Sequence, residues 1–358
     1  MNKVFGTIKK IFRAIKTTIK KTQPYLGFLI LGGILSLAPA LVANTQWFLF
    51  AWLTIFAGFV VYSIASLGMN ILMGYGGLAS LGTAGFMGLG AYLTMVLTVD
   101  LGLSFFPVLI ITILATTVLG ILVGLISLRV EGFFLAIATL VIAEMLRQVF
   151  QQMPLLGGHA GRTMPAFPTI SIFGIAEWTL NRNQTYIMLV IFLVIAMFVT
   201  QLLFKSATGR ALSAMRGSES AAAAMGISIF RGRLLAFALA SGFAGAAGSL
   251  FMFFMPFTNP NHWNLVLSLF IFAVVVIGGV RSVAGTVLGA FIVFAVPQLF
   301  IARLPIIGDI SGMDFVFTGV LIIVVVLFYP AGLIYMPMSI KNGITKLINK
   351  RKKGGETA

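Results

Sequence analysis

The chain has 358 residues, 59% of them hydrophobic and 9% charged, with a formal net charge of +16. Soluble domains carry about 45–50% apolar and about 25% charged residues, so this composition excludes a soluble fold and points to an all-α, polytopic membrane bundle. The absence of cysteine excludes disulfides and thiolate metal centres, and two histidines, His159 and His262, are too few for a histidine-rich metal site.

The first stretch, residues 1–22 (MNKVFGTIKKIFRAIKTTIKKT), lacks the continuous apolar core and small-residue cleavage site of a signal peptide. Val4, Phe5, Ile8, Ile11, Phe12, Ile15 and Ile19 recur at helical spacing between lysines. That pattern predicts a basic amphipathic cytoplasmic segment lying on anionic lipid. The plainer reading is a basic tail that only fixes orientation.

Residues 23–336 form the transmembrane region. Runs of about 20 apolar residues can cross a bilayer, and such runs lie near 25–43, 46–72, 80–98, 104–128, 132–150, 184–204, 233–255, 263–280, 283–302 and 315–335. The expectation is about ten transmembrane helices, with glycine-rich broken segments at 80–98 and 283–302. Gly74, Gly76, Gly77, Gly82 and Gly85 crowd one corner, and Asn70, Ser80 and Thr83 stand beside them. Small residues in membrane helices allow close packing, whereas unwound backbone lining a cavity can meet a polar solute. The two readings give Asn70, Gly76, Gly77, Ser80 and Thr83 a place in packing or in a translocation path. Gly278 and Gly279 open a second, similar corner, and both corners are expected near the cytoplasmic ends of their helices.

Glu144 and Arg147 share one helix face, one turn apart. Ionised groups in a membrane are costly and either pair or face water. They are read either as a self-satisfied pair or as groups that orient a zwitterion or meet an outer partner. Residues 151–183 are rich in proline and glycine and read as an outer loop.

Between two spans lies a polar interruption, residues 205–232, including GRALSAMRGSESAAAAMGI. Its alanines favour helix. Thr208 and Ser218 are expected as caps of two short helices, with Gly217 and Gly226 as breaks. A short helix of small residues with one or two bulky knobs fits a shallow groove on another protein; the alternative is a loop helix packed on its own bundle. The tail, 337–358, is basic. Placing both termini, 205–232 and the tail inside collects most of the lysines and arginines on the cytoplasmic side, as the positive-inside rule requires. This charge distribution belongs to membrane orientation and argues against nucleic acid as a partner.

Gly209-Arg210-Ala211-Leu212, then Ala214-Met215-Arg216, Glu219, and Met225-Gly226-Ile227 resemble the cytoplasmic coupling loop of ABC importer permeases, in particular the LivM-type permease of branched-chain amino acid importers. Leu67 to Gly82, Gly88 to Tyr92, Gly132 to Leu140 with Glu144 and Arg147 in register, Gly245 to Gly248, Val276 to Val280 and Gly285 to Ala290 are similar to further signatures of that family. The resemblance covers roughly residues 55 to 335. It departs at Thr83, where the family often has histidine, at Ala84-Gly85, and in the loop Gly157 to Gly161, which lacks an acidic residue.

The resemblance implies a cell-membrane transport subunit, not an enzyme. It implies two ABC ATPase subunits as partners, a second, different permease and an extracytoplasmic solute-binding protein. This chain would bind no cofactor, and the partners would use ATP; the sequence has no GxxxxGK[ST] phosphate loop. Gly209, Arg210, Met215, Arg216, Glu219, Met225 and Gly226 would contact the ATPase. The same architecture could carry nucleosides, urea, amides or sugars. A secondary transporter acting alone would need intramembrane carboxylates, in which the sequence is poor. A non-transporting scaffold would tolerate bulky residues at the glycine corners.

Overall fold

The computed structural model describes residues 25–39, 50–127, 132–164, 169–172, 176–301, 313–328 and 332–333. The amphipathic segment 1–22 and the tail 337–358 lie outside the described residues.

The apolar runs form helices. These are α1 (Tyr25–Ser36), α2 (Phe50–Asn70), α3 (Thr83–Val99), α4 (Phe105–Ser127), α5 (Phe133–Gln152) and α6 (Arg182–Lys205). Two short helices follow, α7 (Ala207–Gly217) and α8 (Glu219–Ala224). The chain then continues through α9 (Ile229–Phe254), α10 (Leu265–Gly278), α11 (Val283–Ala290), α12 (Val296–Ile301) and α13 (Met313–Phe328). Two π-helical turns interrupt them, Ile71–Tyr75 at the end of α2 and Phe291–Ala295 between α11 and α12. Among the described residues, five helices are long and apolar enough to cross a membrane alone: α2 with its π turn, α4, α5, α6 and α9.

The expected runs at 80–98 and 263–280 are realised as shorter helices. The 14 residues of α10 rise about 21 Å at about 1.5 Å per residue, less than the roughly 30 Å hydrocarbon core. Gly279, with φ +102°, ends α10, and the chain turns before α11 begins.

The centre of the bundle is α9, packed against α2, α3 and α4. Its sequence explains the position, because Gly242, Gly245 and Gly248 leave a shallow surface. A Cβ on Gly90 of α3 would fall on the backbone of Gly245, and one on Gly248 would fall on Met87 of α3. The two helices thus cross with their backbones in contact. Lipid tails are as apolar as leucine, so close packing of this kind must drive helix association. α10 and α11 pack through a second small-residue crossing, Gly278 against Gly285.

Polar groups inside the bundle are tied inward. Ser63, Ser66, Thr200 and Ser241 donate to carbonyls one turn back in their own helices, at 2.7–2.8 Å. Thr94 of α3 donates to Ser249 of α9 at 2.7 Å.

At one end the connections form two small antiparallel ladders, an addition to the all-α expectation. β1 (Arg162–Thr163) pairs with β4 (Phe257–Thr258), and β2 (Thr169–Ile172) pairs with β3 (Ala176–Thr179). Arg162 forms an ion pair with Asp100 at the end of α3, and its hydrogen bond holds that carboxyl below the ordinary carboxylate range.

The α3–α9 crossing predicts the outcome of Gly90→Ala. Overpacking a close contact costs about 1–3 kcal/mol, so the variant's unfolding temperature in detergent should fall by several degrees. Gly27→Ala in α1, where nothing lies within 4 Å of the added carbon, should leave it unchanged or raised.

Candidate functional site

The polar interruption folds as the two expected short helices. Ser218 caps α8 by accepting from the Ala221 amide at 3.3 Å. The first cap is Ser206, not Thr208: its hydroxyl accepts from the Gly209 amide at 3.2 Å, and Thr208 lies inside α7. Ser206 wins because it stands directly after α6 in an extended conformation, the geometry an N-cap requires. Gly226, with φ +82°, ends the second helix region.

α7 lies on the bundle by one face, where Gly209, Leu212 and Met215 are buried. Met215 was expected as an outward knob. It is 2% exposed and rests over Gly232 of α9, because the helix turn that places Leu212 inward carries Met215 inward three residues later. Met225 behaves oppositely: at 84% exposed it stands clear of the bundle.

The charged residues of this segment bond to the bundle while staying open on their outer sides. Arg216 donates to the carbonyl of Gly74, inside the π turn at the end of α2. Glu219 accepts from both terminal-nitrogen and Nε groups of Arg233 of α9, at 2.8 to 3.3 Å. The Arg233 side chain is 7% exposed and that of Glu219 is 41% exposed. Arg210 donates to the Lys205 carbonyl at 3.1 Å. Arg216 and Glu219 therefore clamp the segment to α2 and α9. The outward surface of the segment mixes exposed alanines and Met225 with polar groups, Arg210, Ser218 and Ser220 among them, and Arg216 is itself exposed beyond its bond to Gly74.

The two glycine corners meet beneath α7. Asn70 is fully buried at the end of α2. It donates to Ser282 O at 3.2 Å and Thr286 Oγ1 at 2.6 Å and accepts from the Arg281 amide at 3.0 Å. Arg281 has φ +74°, the one such non-glycine residue among those described. Its guanidinium lies over the Tyr75 ring at 5.0 Å and donates to Ser213 of α7. A left-handed arginine costs of the order of 1–3 kcal/mol unless its surroundings fix it, and here three contacts do so. Sequence reasoning missed Arg281 and Arg233 as site residues. Arg233 left a faint signal, a second arginine one turn inside α9 where the apolar run has begun.

The remaining candidates are engaged in packing. Gly77, with φ +71°, faces the Arg216 stem, and Gly76 lies close over the Leu72 carbonyl. The Ser80 hydroxyl accepts from the Gly82 amide, and Thr83 contacts Met69. Ser80 and Thr83 share a cavity with Leu72, Phe86 and Phe237 that has room for about one water. Gly278 and Gly279 lie against Gly285 and Gly332. A groove of about 430 Å³ between α4, α6 and α9 is lined by residues such as Ile113, Phe192 and Ala246, with no charged side chain.

Glu144 and Arg147 are paired on α5, with Arg147 Nε donating to Glu144 Oε2 at 2.8 Å. Arg147 also reaches Asn261 Oδ1 at 3.3 Å, beside the ladder end of the bundle. His262 lies there too, its Nε2 3.0 Å from the Tyr62 hydroxyl. Among the described residues, no group of histidine and acidic side chains could hold a metal.

Residues 51–326 match the family described as branched-chain amino acid transport system / permease component. The chain is 30% identical over 310 residues to the high-affinity branched-chain amino acid transport system permease protein LivM of Escherichia coli, covering 80% of this chain and 71% of that protein. It is 29% identical over the same length and shares to the LivM protein of Salmonella typhimurium. It is 34% identical over 104 residues to the probable permease LivH of Methanocaldococcus jannaschii, 29% of this chain and 32% of that one. No solved structure gives a significant match.

The clamp generates a stability prediction. Glu219→Ala leaves the buried Arg233 without its carboxylate, which should cost about 2–3 kcal/mol. Glu219→Ala with Arg233→Met should recover most of that loss, because an apolar pair needs no desolvation of charge. Thermal unfolding of both variants checks it.

Proposed function

The chain belongs to the branched-chain amino acid transport permease family, a family of membrane transport components and not of enzymes, and we propose that it is a permease subunit of an ATP-driven importer of branched-chain amino acids. The observation that carries this reading is the segment 206–228. It is clamped to α2 and α9 by Arg216 and Glu219, yet presents an alanine surface with Met225 free. Met225, Phe230 and the exposed alanines of this stretch together offer the shallow apolar surface that a helix-in-groove contact would cover.

In the proposed assembly, two ATPase subunits sit beneath this surface, a second, different permease completes the pathway, and an extracytoplasmic binding protein delivers solute to the ladder end. Both termini are cytoplasmic, and the basic segments 1–22 and 337–358 lie against anionic lipid. The ATPases bind and hydrolyse ATP; this chain moves. Met225, with its alanine neighbours, supplies the apolar docking knob, Arg210 the polar rim, and Gly209, Gly217 and Gly226 the shape.

A push on α7 and α8 has two routes inward. One runs from Arg216 to the π turn of α2, and the other from Glu219 through Arg233 to α9. π-helical turns mark places where a helix can change register locally. The glycine corners around Asn70, Gly76, Gly77, Gly278 and Gly279 then act as the hinge at the cytoplasmic mouth of the path, and Ser80 and Thr83 lie just above it. Alternating access follows if the hinge moves α2 and α11 relative to α9.

Docking and transmission should separate by mutation. Met225→Asp should reduce co-purification of the ATPase subunits in mild detergent at least tenfold, with this chain's unfolding temperature unchanged. Arg216→Ala should retain the ATPases but lower uptake at least fivefold. A chain that purifies alone as wild type, and takes up solute without ATP, overturns the reading.

A further inference from the structure

α5 is long and apolar enough to cross a membrane, yet 28% of its membrane window is buried in the chain, against 89% for α2 with its π turn. Its open face changes character along its length. Phe133, Phe134, Ile137 and Val141 are exposed first, followed by Glu144, Met145 and Gln148. Spacings of three and four residues put Ile137, Val141, Glu144 and Gln148 in one row. Glu144 stands about 12 Å from the end of α5 at about 1.5 Å per residue, where the apolar run of the helix gives way to Arg147, Gln148, Gln151 and Gln152.

Among the described residues this ion pair is only partly covered: the Glu144 side chain is 45% exposed, and that of Arg147, 20% exposed, lies against Asn261. A face turned to lipid looks different, as on α4, where Ile110, Leu114, Val118 and Leu122 are the exposed residues. Charged groups at membrane depth face water, a partner or each other. Here they face each other and an open side as well.

We propose that this patch on α5 is a dwell site for the zwitterionic head of an α-amino acid in transit, with Val141 and Met145 as the wall for its aliphatic side chain. The proposal rests on the importer reading above. A carboxylate and a guanidinium side by side match the ammonium and carboxylate of one amino acid, and the planar guanidinium takes a carboxylate through two parallel bonds. Between solutes, Glu144 and Arg147 satisfy each other. Gln148 donates to Glu144 at 3.3 Å and Asn261 accepts from Arg147 at 3.3 Å, so both charged groups keep a neutral partner when their mutual bond opens. The patch lies beside the ladder end, where the solute would enter.

The absence of cysteine in the chain makes the test direct. Gln148→Cys and Met145→Cys are introduced singly, alongside Val118→Cys on α4, in the complex with its partner subunits in lipid nanodiscs. Each is treated with a charged, membrane-impermeant thiol reagent, which needs a hydrated thiolate. The α5 thiols should react at least tenfold faster than Cys at position 118, and millimolar leucine should slow them at least threefold. Arg147→Gln should raise the leucine concentration needed for protection at least tenfold. Equal, slow labelling at all three positions overturns the proposal. So does fast labelling that leucine leaves unchanged in a complex that imports leucine; protection by the binding protein alone would then assign the patch to docking. Protection by a solute other than an amino acid, in a complex that does not import leucine, overturns the importer's assigned substrate and the subsite together.

Discussion

In hydrocarbon, every backbone amide and carbonyl must find a partner within the protein. Continuous helices meet this demand by themselves. The difficulty arises where α2 and α10 end within the bundle, at the corners after Gly76 and Gly279. Asn70 secures the corner before α11 by accepting from the Arg281 amide and donating to Ser282 O. Thr139 of α5 accepts from the Leu81 amide, Ser268 of α10 from the Ala84 amide, and Arg216 donates to the Gly74 carbonyl. These bonds let the chain be irregular inside the bundle. They also fix where α7 must lie, since one of them comes from α7 itself.

The helix core solves a different problem. Without water to drive helices together, contact distance decides the packing. Glycines on α9 and α3 bring two backbones together, and α2 and α4 pack around the same axis. Near the ladder end Trp263 is buried, donating to Thr258 at 2.8 Å. One end of the molecule is thus braced by strands and an ion pair, and the other by arginines reaching across helix ends.

Much of this was legible in the sequence, for identifiable reasons. Apolar run length marked the helices, and the alanine-rich interruption with Ser218 and Gly226 marked two short surface helices. Motif order marked the family. What the sequence concealed were pairings between distant residues. Nothing near Glu219 indicates that its partner is Arg233 on the next long helix, and nothing near Arg216 indicates its bond to Gly74. Met215 and Met225 look alike in composition, and only the helix phase of α7 sends one inward. Thr208 and Ser206 are both good caps, and the end of α6 decides between them. The expected shared face of Glu144 and Arg147 follows from spacing alone; the openness of that face does not.

The clamp beneath α7 has a consequence for how such proteins diversify. The segment 206–228 is not a portable module. Its inner face is keyed to Gly74, Tyr75 and Arg281, contributed by helix ends far away in sequence. A chimera that grafts this segment alone from a relative keeps the contacts behind it only where the helix ends carry matching residues. If the proposed ATPases dock on this segment, exchange of partners between related systems would require the ends of α2 and α11 to travel with the loop, tying the choice of motor to the interior of the permease.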